Sequence, residues 1–126
     1  MPDIALDVQG VTAGYVPDLP ILHDVSIQVV RGTVTVIIGP NGAGKSTLVK
    51  AVAGLLPVSS GTILQGVEDI TNIRPDQMAA HGIAYVPQSD NIFRNLTVGQ
   101  NLDLALRREK VDQAARRAEL LMQFPV

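Results

Sequence analysis

The run Gly39-Pro40-Asn41-Gly42-Ala43-Gly44-Lys45-Ser46-Thr47 has the form G-x-x-x-x-G-K-[ST]. Glycines at this spacing let the backbone close into a concave nest whose N–H groups converge on one anion. A helix opening at Lys45 would add the positive end of its dipole at the same point. Lys45 then brings a full charge to the outer phosphates of a bound polyphosphate, and the Ser46 hydroxyl is positioned for magnesium. The chemistry expected of these residues is the holding of a nucleoside triphosphate.

The motif requires a strand before it and a helix after it, and the flanking sequence supplies both patterns. Thr33-Val34-Thr35-Val36-Ile37-Ile38 is apolar and β-branched, and the stretch from Lys45 to Leu56 reads as a helix. Upstream, Ile4, Leu6 and Val8 alternate with Ala5 and Asp7 in a strand that runs on to Gly14-Tyr15. Residues 21–30 form a second strand, with Val25, Ile27 and Val29 on one face. Downstream, residues 57–61 read as a loop, Thr62-Ile63-Leu64-Gln65 as a short strand, and Arg74-Pro75-Asp76 as the start of a helix closed by Gly82. Ile83-Ala84-Tyr85-Val86 reads as a buried strand. Thr97-Val98-Gly99-Gln100 has the capping-box pattern ahead of a helix, and Asp112 is placed to cap a last helix bearing Ala114, Ala118, Leu121 and Met122 on one face. Antiparallel strands followed by buried strands and helices imply a mixed α/β sheet.

Composition narrows the function classes. The 126 residues are 46% hydrophobic and 17% charged, as in an ordinary globular domain. The net charge of −2 argues against a nucleic-acid or anionic-membrane surface. Arg107-Arg108-Glu109-Lys110 and Arg116-Arg117 read as solvated helix faces. There are no cysteines, which excludes disulfides and thiolate metal sites and suits a reducing cytoplasm. Neither a secretory signal pattern nor an apolar run long enough to cross a bilayer is present, so work at a membrane would go through a partner.

Taken together, Gly39 to Leu48, Ala53-Gly54-Leu55-Leu56, Ser60-Gly61-Thr62-Ile63 and Gly66 resemble the ATP-binding subunits of ABC transporters. Tyr85-Val86-Pro87-Gln88 resembles that family's glutamine loop, and Leu96-Thr97-Val98 with Asn101-Leu102 the opening of its helical subdomain. Asp69-Ile70-Thr71, Pro75, residues 82–88 and residues 92–98 most resemble the ATPases of branched-chain amino-acid importers. The resemblance implies an α/β P-loop NTPase fold of the ABC-ATPase type, a mixed sheet with N-terminal antiparallel strands.

It also implies residue roles. Backbone N–H groups across Gly39, Pro40, Asn41, Gly42, Ala43, Gly44, Lys45, Ser46 and Thr47 would wrap the phosphates of ATP. Lys45 would hold the β- and γ-phosphates, Ser46 would ligate Mg2+, and Thr47 would reach the α-phosphate. Gln88 would contact magnesium or the attacking water, in a loop that faces the transmembrane partner. Tyr15 would stack on adenine. The implied partners are transmembrane permease subunits, a second ATP-binding subunit in a dimer and, indirectly, a solute-binding protein. No nucleic acid is implied, and the implied location is the cytoplasmic face of the cell membrane, as a peripheral subunit. His23, His81, Asp69 and Arg74 read as structural or surface residues, with no metal-ligand spacing among them.

A complete ATPase of that family also carries an LSGGQ-like signature, an apolar strand ending in Asp-Glu and a later histidine, and none of these is found in the sequence. Residues 1–126 are therefore expected to be a partial nucleotide-binding domain with its C-terminal half missing. Residues 1–88 hold the strands, phosphate-loop core and glutamine loop, and residues 89–126 begin the helical subdomain. The strands at 34–38 and 83–86 should then lack their usual neighbours. Hydrolysis, which the family performs, is expected to be negligible in the chain alone. Three alternatives stay open: a non-catalytic nucleotide-binding module completed by a second chain, a non-transport ABC ATPase, and a small P-loop kinase or GTPase. The last lacks the Asn-Lys-x-Asp base-reading motif of a GTPase.

Overall fold

The computed structural model describes residues 1–107 and 111–125. They fall into two compact units, Met1–Tyr85 and Val86–Val126.

The first unit is built on an antiparallel sheet. Strands β1 (Ile4–Ala13), β2 (Leu22–Val30), β3 (Val58–Gln65) and β4 (Glu68–Asp69) lie in the order β2-β1-β3-β4. Val8 stands opposite Ile27 on one side and Ile63 on the other, and Ala13 opposite Leu22 and Val58. A bulge near Gly10, where φ is +56°, shifts the register on both sides of β1. The extra residue changes the parity of the strand. Val8, Val11 and Ala13 therefore all face the core and are fully buried, although strict alternation would turn Val11 outward. Gly61 crosses this bulge closely, since a Cβ there would overlap the Gly10 carbonyl oxygen.

Helix α1 (Lys45–Val52) joins this core through Leu48 and Ala51, one turn apart, and Leu56, Ile63 and Ile70 complete it. The helix stops short of the expected Leu56. Gly54 takes a left-handed φ of +74°, and a Cβ there would collide with the Ile73 carbonyl. Helix α2 (Pro75–Met78) begins with proline at its first turn, and a 3-10 turn (Ala79–His81) follows, closed by left-handed Gly82.

Three departures from expectation follow from which segments find a ladder partner. Residues 58–61, expected as loop, belong to β3 because Val58 and Ser60 find ladder partners in Ala13 and Thr12. Strand β4 pairs with the end of β3 across the turn at Gly66-Val67. The runs 33–38 and 83–86 are not in any ladder among the described residues. Val34, Val36 and Ile38 are 91%, 74% and 86% exposed, and Val86 is 78% exposed. Their β-branched residues favour extension, but a strand exists only where a neighbour accepts its hydrogen bonds.

The second unit holds α3 (Val98–Leu106) and α4 (Gln113–Gln123). The expected capping box is formed: Gln100 N donates to Thr97 Oγ1 at 3.1 Å, and Thr97 N to Gln100 Oε1 at 2.9 Å. Asp112 Oδ1 caps α4, accepting from Ala115 N at 3.1 Å. Arg117 pairs with Asp103 and Arg116 with Glu119, as expected of solvated helix faces. Arg108, Glu109 and Lys110 lie outside the described residues. The apolar face expected on α4 is only partly covered: Leu121 is half-buried, Met122 is 84% exposed, and no described residue of the helix is fully buried.

Candidate phosphate-binding site

The site grows from a break in backbone handedness. After the 33–38 run, Gly42 and Gly44 take φ values of +82° and +92°. Only glycine occupies this region without strain. Ala43 N donates to Pro40 O at 3.2 Å, closing the loop on itself. Gly44 is then the N-cap of α1, and with no side chain it leaves the first-turn N–H groups uncapped. The first intrahelical bond joins Leu48 N to Gly44 O at 2.9 Å, and the first turn carries no acidic residue. The result is a cluster of backbone donors on the positive end of the helix dipole, which suits an anion.

Lys45 crosses the mouth of this loop. Its Nζ donates to the carbonyls of Gly39 and Pro40, each at 2.6 Å. Gly39 borders the same concavity: a Cβ there would lie 3.5 Å from Ala43 Cβ and 3.7 Å from Lys45 Cδ. A side chain at that position would come into van der Waals contact with Ala43 and Lys45 and narrow the loop. Ser46 is exposed at the helix start, where its hydroxyl can join a cation held by phosphates, and Thr47 is turned inward at 7% exposure. Gly44 is also braced from below, since its Cβ position lies 2.9 Å from Leu22 Cδ2 on β2.

Tyr15 leaves β1 through Gly14, which sits so close to the returning chain that a Cβ would fall 2.7 Å from Pro20 Cα. The turn is closed by Leu19 N donating to Val16 O at 3.0 Å and Ile21 N to Ala13 O at 2.8 Å. The ring is 57% exposed, and Lys50 Nζ of α1 donates to its hydroxyl at 3.0 Å. That hydrogen bond holds the Lys50 ammonium above the ordinary lysine pKa, helped by the nearby phenols of Tyr15 and Tyr85. One helix thus carries both the lysine of the loop and the lysine that meets Tyr15. Gln88 belongs to the second unit, exposed at a bend. The structure therefore brings Gly39 to Thr47 together and links Tyr15 to the same helix within the first unit.

The remaining polar residues have structural partners. Asp69 accepts from Thr71 N at 2.9 Å, and its hydrogen bonds to Thr71 hold the carboxyl below its ordinary pKa. That favours the carboxylate and disfavours a general acid. His81 Nδ1 lies 3.2 Å from Glu68, Arg74 pairs with Asp76 at 2.9 Å, and His23 is exposed on β2. The reading of the sequence missed Leu22 and Lys50. Each acts across a distance in sequence, on Gly44 and Tyr15, so no local motif announces it. Among the described residues no helix is long and apolar enough to cross a membrane.

Comparison with known proteins places the chain by family and fold. Residues 22–125 match the sequence profile of the ABC transporter family. A probable branched-chain amino acid transport ATP-binding protein, LivF, of Archaeoglobus fulgidus is 46% identical over 93 residues, covering 74% of this chain and 39% of its own length. A molybdate/tungstate import ATP-binding protein, WtpC, of Thermococcus kodakarensis is 39% identical over 93 residues, covering 74% of this chain and 27% of its own. A solved ATP-binding subunit of an ABC transporter superimposes with a TM-score of 0.78 at 29% identity, over 95% of this chain and 50% of that one. The chain thus spans half or less of the length of each of these relatives.

Proposed function

This chain belongs to the ABC transporter family, and we propose that it grips ATP for a subunit that powers a membrane importer. The observation that carries the reading is the loop in which Gly42 and Gly44 turn left-handed into an uncapped helix start, with the Lys45 ammonium across its mouth. Backbone N–H groups from Gly42 to Thr47 wrap the phosphates, and Lys45 takes the β- and γ-phosphates by exchanging its carbonyl partners for them. Thr47 reaches the α-phosphate, and Ser46 offers its hydroxyl to magnesium. Tyr15 supplies an aromatic face to adenine. Gln88 serves magnesium or the attacking water and faces the permease. Bound ATP supplies the phosphoanhydride whose cleavage drives transport, while these residues bind, orient and neutralise charge.

The solute class is an amino acid, branched-chain by preference. The likeness to LivF supports this reading, and so does the wording of residues 69–98. The permease and the solute-binding protein choose the solute, so a molybdate importer can share much of the same chain. The working assembly pairs two ATP-binding subunits beneath the permease at the cytoplasmic face of the membrane. A second reading is a binding module completed by a separate polypeptide; the exposed Val34, Val36 and Ile38 are compatible with it, as with further strands of the same polypeptide.

Equilibrium binding of ATP to the 126-residue chain tests the proposal. Weak, saturable binding reduced at least about tenfold in Lys45→Ala is expected. Hydrolysis is expected to be negligible, because among the described residues no water-positioning carboxylate stands with the loop. Binding indifferent to Lys45 would overturn the phosphate-loop assignment. Turnover by this chain that Lys45→Ala abolishes would overturn the hydrolysis part alone.

A further inference from the structure

We propose that Lys50 is a positioning residue for Tyr15, holding the phenol end of the ring so that both its faces stay open to a purine base. The inference rests on the reading of Tyr15 as a base platform and adds the group that orients it.

The geometry comes from two distances. Lys50 Nζ lies 3.0 Å from the Tyr15 hydroxyl oxygen and 5.7 Å from the ring centroid. A phenol oxygen stands about halfway along such a line, so the nitrogen lies beyond the hydroxyl, near the axis of the ring. A cation seated over the face would compete with a stacking base; a cation off the hydroxyl tip does not. The other end of the residue is fixed by its backbone, in the turn that Gly14 and the Val16–Leu19 bond close. With main chain at one end and an ammonium at the other, the direction in which the exposed ring projects is set before any base arrives. Such preorganisation lowers the ordering cost of binding. Because Lys50 and Lys45 share α1, the ring is set by the same rigid element that sets the phosphate loop.

The test compares ATP with inorganic tripolyphosphate, which engages the loop and has no base, by calorimetry on the full chain. Lys50→Met is expected to weaken ATP about three- to fivefold, the range of an exposed hydrogen bond, and to leave tripolyphosphate unchanged. Lys50→Arg should restore most of the loss. Tyr15→Phe should match Lys50→Met, and the two together should lose no more than either alone. Equal weakening of both ligands in Lys50→Met would overturn the inference, since Lys50 would then be serving phosphate.

Tyr15→Ala separates this inference from the reading beneath it. If that variant keeps the native ratio of ATP to tripolyphosphate affinity, the base platform itself fails. If it lowers the ratio and Lys50→Met does not, only the role of Lys50 fails. A spectroscopic readout follows from the composition, because the chain has two tyrosines and no tryptophan. In a Tyr85→Phe background the emission of Tyr15 should be quenched by ATP and unaffected by tripolyphosphate. Adding Lys50→Met should reduce that quenching at matched ATP concentration. Quenching unaltered by Lys50→Met would overturn the proposal.

Discussion

Gly44→Ala should damage the phosphate loop through two separable effects. The residue has a φ of +92°, where an L side chain costs about 1–2 kcal/mol. The new Cβ would also stand 2.9 Å from Leu22 Cδ2. Leu22 is 4% exposed and belongs to the central core cluster, so its methyl can yield only by leaving its rotamer, at about 1 kcal/mol. Gly42 provides the internal control. Its φ is +82°, and nothing lies within 4 Å of its Cβ position, so Gly42→Ala should show the conformational cost alone. Urea unfolding followed by circular dichroism should then give losses of about 2–3 kcal/mol for Gly44→Ala and about 1–2 kcal/mol for Gly42→Ala. Leu22→Val removes the obstructing branch, and in a double-mutant cycle it should recover about 1 kcal/mol of the Gly44→Ala loss. Tripolyphosphate affinity should fall about tenfold or more in both alanine variants, as their backbone N–H groups turn away from the anion. Equal destabilisation by the two substitutions, or strict additivity with Leu22→Val, would refute the idea that β2 braces the loop.

Other perturbations test the frame around the site. Asn72 bridges the backbone of Val58, accepting from its N–H at 2.8 Å and donating to its carbonyl at 2.9 Å, so Asn72→Ala should cost about 1–3 kcal/mol in urea unfolding. Thr97→Ala breaks the capping box and should cost about 1 kcal/mol, seen as faster amide exchange in the first turn of α3. The depressed pKa of Asp69 sets a pH dependence. Its contribution is present above the ordinary aspartate value of 3.8 and is lost as pH falls through the lower folded value. Stability measured across that acid window should therefore fall less steeply in Asp69→Asn than in the native chain.

The features legible in the residues alone are those whose partners lie within a few positions. The capping box at Thr97 and Gln100, the Asp112 cap, the left-handed stop at Gly82 and the loop from Gly39 to Thr47 are each closed by short-range hydrogen bonds or by glycine's freedom at positive φ. The β-branched character of Val34 to Ile38 was legible too, while the expectation that the run would lack its usual neighbours came from the family resemblance. The same residues that carry the family resemblance shape the phosphate cradle.

Tertiary structure decided what depends on a partner far along the chain. The bulge at Gly10 turns Val11 inward only because β2 and β3 shift register around it. Residues 58–61 become strand because Thr12 and Ala13 offer them a ladder, whereas 33–38 and 83–86 stay out of any sheet among the described residues. Leu22 braces Gly44, and Lys50 meets Tyr15 across 35 positions of sequence. The physical reason is the same in each case. A turn or cap carries its hydrogen-bond partners within its own segment, so residue types determine it locally. A strand, a brace or an oriented ring is completed by groups that only the folded chain brings within reach.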